Sequence, residues 1–265
     1  LLGVFVVATE PASAMSGEFK VCADPDNLPF SNEKGEGFEN KLVDLIASKF
    51  GMQVTYVWLP SVTGYFSALP GSAGCDILMG YAQGAGLIED TNPYYRTSYV
   101  LLYRQDDKSL AGLESLADPR LKQKTIGIIA RTPPASIMAT NGLTSNARLF
   151  EAESDTGSPH SALEIINAIA SGKIDAGVLW GPLGGYYAQS SKVPLTMVPL
   201  VKEKAGPATI YGITMGVHPN EPEWKHRLNK LIAENQTDIN AMLAEYNVPL
   251  LDENGNLIEP PAAER

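Results

Sequence analysis

The sequence predicts an α/β chain of two lobes, and three observations carry that expectation. Short β-prone runs alternate with helical patterns along almost the whole chain of 265 residues. That length lies where one hydrophobic core gives way to two, and 44% apolar residues suffice for two packed interiors. The strand and helix series also resets after Arg104, where the charged QDDKS follows the β-rich TSYVLLYR, and it resumes at Tyr211.

The chain opens on LLGVFVVA and then TEPASA, an apolar run followed by a small-residue A-x-A site at Ala12 to Ala14. Residues 1–14 therefore read as the tail of a secretory signal peptide without its basic start, cut after Ala14. FKVCA reads as a strand that breaks at Asp24-Pro25. Phe38, Leu42, Leu45, Ile46 and Phe50 fall on one helical face, and QVTYVW alternates like a half-buried strand after Gly51. Residues 62–70 are expected to form a short helix, and CDILMG, from Cys75 to Gly80, a buried parallel strand.

A second series follows in the order KTIGIIA strand, PPASIMATNG helix, ARLFEA strand, SALEIINAIASGK helix, DAGVLW strand, GPLGGYYAQSS helix and LTMVPLV strand. YGITMGV is the last strand, and EWKHRLNKLIAENQTDINAMLAEYNV supplies two helices expected to pack on the first lobe. The expected lobes are 19–104 with 209–258, and 108–204. The crossings fall near 102–108 and 204–211, and the tail 259–265 is frayed.

The formal net charge of −10 argues against nucleic acid or an anionic membrane surface as partner. A basic protein would suit this field, although an acidic, solvated surface is its commoner cause. Beyond the N-terminus no apolar run approaches the ~20 residues of a membrane helix, so an exported, periplasmic protein is expected. Cys22 and Cys75 are the only cysteines. An even count in an exported chain favours a disulfide. Yet Cys22 lies late in its strand and Cys75 opens its own, which in parallel neighbours can exceed the ~7 Å bridging limit. A bridge and two buried thiols both stay open.

In open α/β sheets the loops leaving the carboxyl ends of strands line the ligand crevice, which puts Asp24, Asn27 and Phe30 in the candidate cleft. Asp24 and Asp26 are also the nearest candidates for a catalytic carboxylate in the cleft, but a loop Asp beside Pro or Asn is more often a turn former. Arg131 and Thr132 precede Pro133 and Pro134 at a helix start whose free N–H groups attract a small anion. A capped helix with a surface Arg is the plain alternative. Trp180, Gly181, Gly184, Gly185, Tyr186 and Tyr187 form either a second-lobe cleft wall or a close-packed helix. Tyr65, Phe66 and Tyr81 are expected to face them.

His160, His218 and His226 are too scattered for a metal pair, and the cysteines lack C-x-x-C spacing. No G-x-S-x-G elbow or P-loop appears, and GEGFEN is only the start of a dinucleotide fingerprint. No catalytic residue, metal or cofactor is expected.

From Phe19 to Pro249 the order of elements resembles the type II periplasmic solute-binding proteins of family 3, two lobes joined by two crossovers around a central cleft. GFENKLVDLIA, CDILMG, NPYY, LADPRLKQKTIGI and SGKIDAGVLWGPLGGYYA carry the likeness. Amino-acid binders of that family hold the ligand carboxylate with an Arg after the strand matching CDILMG, where YAQGAGLIEDTN has neither Arg nor Lys. They hold the α-ammonium with an Asp where Trp180 stands. Burying a charged ligand without partner charges costs several kcal/mol, so an ordinary amino-acid receptor is disfavoured.

VCADPDNLPFSNEKGEGFENK, CDILMG, NPYYRTSYV and IDAGVLWGPLGGYY resemble, more narrowly, the MxaJ- and XoxJ-type proteins. These are periplasmic factors found with pyrroloquinoline-quinone methanol dehydrogenases of methylotrophic bacteria. The resemblance implies a non-enzymatic accessory role whose partner is the methanol dehydrogenase or its maturation factors. The strip Trp180–Tyr187 and the loop Asp24–Phe30 would then be contact surfaces. The alternatives are a receptor delivering a small polar organic ligand to an ABC transporter, and a lyase sharing the fold, as cyclohexadienyl dehydratase does.

Overall fold

Phe19 and Val21 are buried on one face of the first strand and Cys22 on the other, so that strand is covered on both sides. Burial on both faces is what a parallel strand between two layers requires. The computed structural model describes residues 17–59, 74–86, 88–151 and 160–258. The expected signal segment 1–14, the helix at 62–70 with Tyr65 and Phe66, and the tail 259–265 lie outside the described residues.

Strand β1 (Glu18–Ala23) leads to a loop holding the small hairpin β2 (Asp26–Asn27) and β3 (Ser31–Asn32), then to α1 (Phe38–Phe50) and β4 (Gln53–Trp58). β5 (Ile77–Ala82), β6 (Glu89–Asp90) and the long β7 (Tyr95–Arg104) follow. The second lobe contributes β8 (Ile126–Ile129), α2 (Pro133–Thr140), β9 (Ala147–Phe150) and α3 (His160–Ala170). It continues through β10 (Ala176–Trp180), α4 (Gly181–Gln189) and β11 (Leu195–Pro199). β12 (Ile210–Val217) and the helices α5 (Pro222–Glu234) and α6 (Gln236–Glu245) return to the first lobe.

The strands run in the order β4-β1-β5-β12-β7-β10-β8-β9, with β11 also on β7. β1 is parallel to β4 and β5, and β10 and β9 are parallel to β8. β7 belongs to both lobes. Its residues Tyr95–Ser98 pair with Ile210–Ile213 of β12, and Tyr99–Tyr103 pair with β10. The crossing therefore falls at Ser98–Tyr99, ahead of the expected 102–108. The apolar β-prone run continues unbroken through it, and QDDKS marks only where the strand ends. The return path lies between Pro199 and Ile210. At Tyr99 the two crossings touch: the Leu200 N–H donates to Tyr99 O at 2.8 Å, and the Tyr99 N–H donates to Thr209 O at 2.9 Å.

The first core joins Phe19, Phe38, Leu42, Ile77 and Met215 to Leu228, Leu231, Ile239 and Leu243 of the last two helices. Two further clusters cover the faces of the second-lobe sheet, one around Leu101, Ile126 and Ile137, the other around Val100, Ile165 and Leu179. No helix among the described residues is long and apolar enough to cross a membrane.

Cys22 and Cys75 are joined by a disulfide, with Cα atoms 5.6 Å apart. β5 begins at Ile77, not at Cys75, and Cys22 itself pairs with Leu78. A bend at Asp76 resolves the register difficulty. Its N–H donates to Lys20 O and its Oδ2 accepts from the Lys20 N–H, both at 2.7 Å, which holds Cys75 back beside Cys22. The bridge packs with Leu78 and Tyr81 on the face away from α1.

Candidate functional site

The loop after β1 and the first turn of α1 are built as one piece. The first N–H groups of a helix have no partner within it. Here Phe38 and Glu39 donate theirs to Pro29 O and Phe30 O, both at 2.9 Å. Asn40 Oδ1 accepts from the Asn32 N–H at 3.0 Å and from the Gly37 N–H at 3.1 Å. A Cβ at Gly37 would collide with the Phe30 backbone, so only glycine lets loop and helix meet this closely. Phe30 and Glu39 are thereby fixed on the same wall.

That wall closes a cavity of about 340 Å³ between the lobes. Asn27, Phe30, Glu39 and Gly80 line it from the first lobe, and Tyr99, Trp180 and Tyr211 from the crossing region. Strand alternation sets the aromatic side. Tyr95 and Tyr99 share one face of β7, and Tyr211 and Ile213 share one face of β12. The Tyr99 and Trp180 ring centroids lie 5.1 Å apart, and those of Trp180 and Tyr211 5.7 Å, both edge to face, as aromatic quadrupoles prefer. Burial, with Tyr211 close by, pushes the Tyr99 phenol up to about 12.

Glu39 is the least expected member of the site. It is 1% exposed, and burial pushes its carboxyl up to about 8, against the pull of the Tyr94 hydrogen bond and with the push of the Asp24 charge. Tyr94 Oη donates to Oε1 at 3.2 Å, and Oε2 has no hydrogen-bond partner. Gly80, at φ +71°, leaves room for the carboxyl, since a Cβ there would stand 2.8 Å from Oε1. A signal for Glu39 was present in the sequence. Residues 39, 42, 43 and 46 are spaced as one helix face, and this is the buried stripe, with Leu45 and Phe50 half-buried at its margin.

Of the sequence-expected residues, the structure brings Asn27, Phe30 and Trp180 together in the cavity. Asp24 does not line it: Oδ1 accepts from the Asp26 N–H at 2.9 Å, and the main chain is tied to Ser31 Oγ, so Asp24 shapes the turn. Asp26 is exposed. Tyr81 lies on the opposite face, with the disulfide, because Gly80 and Ala82 are the residues of β5 that face the cavity.

Arg131 is exposed at φ 63°, and Thr132 stands at the N-cap of α2 without capping it, its Oγ1 donating instead to Ile129 O at 2.8 Å. Neither lines the cavity.

The strip after Trp180 faces inward, not outward as a partner surface requires. A Cβ at Gly184 would stand 2.6 Å from Val100 Cγ2, and one at Gly185 would collide with Asn247 O. Tyr186 stacks on Tyr246 at 6.0 Å, and Tyr187 Oη donates to Leu28 O at 3.3 Å. The Gly184 contact seats α4 on the sheet of its own lobe, and the Gly185, Tyr186 and Tyr187 contacts dock it on the first lobe. Among the described residues no group of three or more His, Cys, Asp or Glu is placed to hold a metal ion.

No protein-family model matches the chain. It is 26% identical over 255 residues to a protein named MoxJ from Paracoccus denitrificans, covering 91% of this chain and 92% of that one. The crystal structure of MxaJ from Methlophaga aminisulfidivorans MPT covers 88% of this chain and superimposes with a TM-score of 0.75 at 24% identity, a likeness of fold. The structure of the periplasmic binding protein XoxJ from Methylobacterium extorquens AM1 superimposes with a TM-score of 0.74 at 39% identity, over 89% of this chain and 100% of that one. With a type II binding-protein fold and this likeness along the whole of XoxJ, the chain belongs to the XoxJ- and MxaJ-type periplasmic binding proteins, within family 3 of the solute-binding proteins.

Proposed function

We propose that the protein is a periplasmic accessory factor of pyrroloquinoline-quinone-dependent methanol oxidation, acting through the methanol dehydrogenase or its maturation and not as an enzyme. The 39% identity along the full length of XoxJ carries this reading. The cavity supports it by what it lacks for amino-acid uptake: none of its described lining residues is Lys, Arg or His, so nothing there would neutralise a ligand carboxylate. Deleting the protein in the organism that carries it should abolish or sharply lower methanol-dependent dehydrogenase activity while the dehydrogenase polypeptide is still made. Undiminished activity would contradict the proposal.

A second reading, a receptor for a small organic solute, is favoured by one observation. Glu39, a buried residue with one carboxyl oxygen that has no hydrogen-bond partner, is among the residues that line the cavity between the lobes. Such concave, largely apolar sites with few polar groups are where small ligands bind.

A further inference from the structure

A carboxyl buried without a full set of partners is costly, so one that a fold retains calls for an explanation, a bound ligand among them. Glu39 is in that position. Oε1 is held by Tyr94, Oε2 by nothing, and the side chain forms part of the cavity wall. Opposite stand three aromatic rings, Tyr99, Trp180 and Tyr211, whose mutual edge-to-face packing fixes their orientation. Glu39 is the only carboxyl among the described lining residues, and no base balances it. Aromatic rings and a carboxylate share one electrostatic preference: both attract positive charge.

We propose that this cavity is a binding site for a small organic cation, an alkylammonium or methylated ammonium ion, with Glu39 as its counter-ion and the Trp180, Tyr99 and Tyr211 rings against its alkyl groups. The inference concerns the cleft alone and does not rest on the accessory role. The volume of about 340 Å³ is adequate for such an ion with several carbons. Trp180 then substitutes an aromatic contact for the acid that amino-acid binders place at this strand end, and Glu39 supplies the negative charge from the other lobe.

The raised carboxyl adds a signature. With the cavity empty Glu39 is largely protonated near neutrality, and a bound cation draws the proton off. The groups around it are Tyr94 ahead of β7, Asp24 after β1 and Tyr56 on β4, none of them basic. Affinity for a permanently charged ion should therefore rise about tenfold per pH unit below the Glu39 midpoint and level off above it.

Calorimetric titration of the purified chain with tetramethylammonium, tert-butylammonium and the neutral isostere tert-butanol tests this. Both ammonium ions should bind at least about tenfold more tightly than tert-butanol, with the pH dependence just given for tetramethylammonium. Glu39→Gln should lose about tenfold or more for the ions and little for the alcohol. Equal affinity for ion and alcohol, or no binding of either ion at millimolar concentration by the folded wild-type protein, would overturn the proposal. The comparison of ion and alcohol needs no variant, so it stands even if a substituted protein fails to fold.

Discussion

Trp180 and Tyr99 face each other directly across the antiparallel pair β10 and β7, their rings edge to face with centroids 5.1 Å apart. Tyr99 is also where β7 changes partners and where the backbone bonds to Leu200 and Thr209 tie the two crossings together. The aromatic wall of the cavity is thus attached where the two crossings meet. Trp180→Ala should lower stability by about 1–3 kcal/mol, through lost burial and two lost ring contacts. Chemical denaturation of the variant checks this, and an unchanged midpoint would show that Trp180 does not pack as described.

The Cys22–Cys75 bridge closes a loop with a sequence separation of 53. Loop-closure entropy for that length is about 4 kcal/mol, and native disulfides deliver roughly 2–5 kcal/mol. The double Cys→Ser variant should lose about that much, measured as a lower denaturant midpoint than the oxidised protein. Identical midpoints with and without reductant would contradict the bridge.

Glu39 sets a sign for pH dependence. Its carboxyl titrates at about 8 in the folded chain, against an ordinary value of 4.5. Between these two values the native state holds a proton that the unfolded chain has released, so this group's contribution to stability falls as pH rises through the window and is flat above it. Glu39→Gln removes the titration and can keep the Tyr94 hydrogen bond. The variant should gain on the order of a few kcal/mol over wild type at pH about 8, with little difference near pH 4.5. Parallel stability profiles for the two proteins would refute the assignment.

Gly185 lies where α4 meets the segment after α6, and a Cβ there would collide with Asn247 O. Gly185→Ala should cost roughly 1–3 kcal/mol, because backbone on both sides must move apart. Ala at the exposed Gly112 is unsuitable as a control, since φ is +71° there.

Free L-amino acids should give no appreciable thermal shift. The cavity offers a carboxyl for an ammonium group but no described base for a carboxylate. A bound ligand at a hundred times its dissociation constant adds about 2.7 kcal/mol, which a melting curve reads easily. A clear rise with any standard amino acid at millimolar concentration would count against this description of the cleft.

The longer strands and helices of the described region were legible because hydrophobic period and punctuation agree along the chain, as at IGII before PPASIMAT or AGVLW before GPLGGYY, whereas the two-residue strands β2, β3 and β6 carry too few residues for a period. What was not legible depended on three dimensions. A sequence of β-prone residues does not tell where a strand changes neighbours, so the crossing inside β7 was read too late. Alternation placed Gly80 and Ala82, not Tyr81, on the cavity face, a parity that the bend at Asp76 and the start at Ile77 decide. Glu39 was passed over because the apolar stripe drawn through Leu45 and Phe50 excluded the charged position that the true stripe buries. Asn27, Phe30 and Trp180 could be found, since they stand at carboxyl ends of strands, where α/β sheets place ligands.

The central claim, that a receptor fold here serves methanol oxidation, is tested most directly by titrating the purified protein against a purified pyrroloquinoline-quinone methanol dehydrogenase from the same organism, in its mature and its cofactor-free forms. The account predicts saturable binding to at least one form, micromolar or tighter, which corresponds to about −8 kcal/mol. No binding to either form, by a protein that remains folded and still takes up a small solute in its cleft, would contradict it and leave the receptor reading in its place.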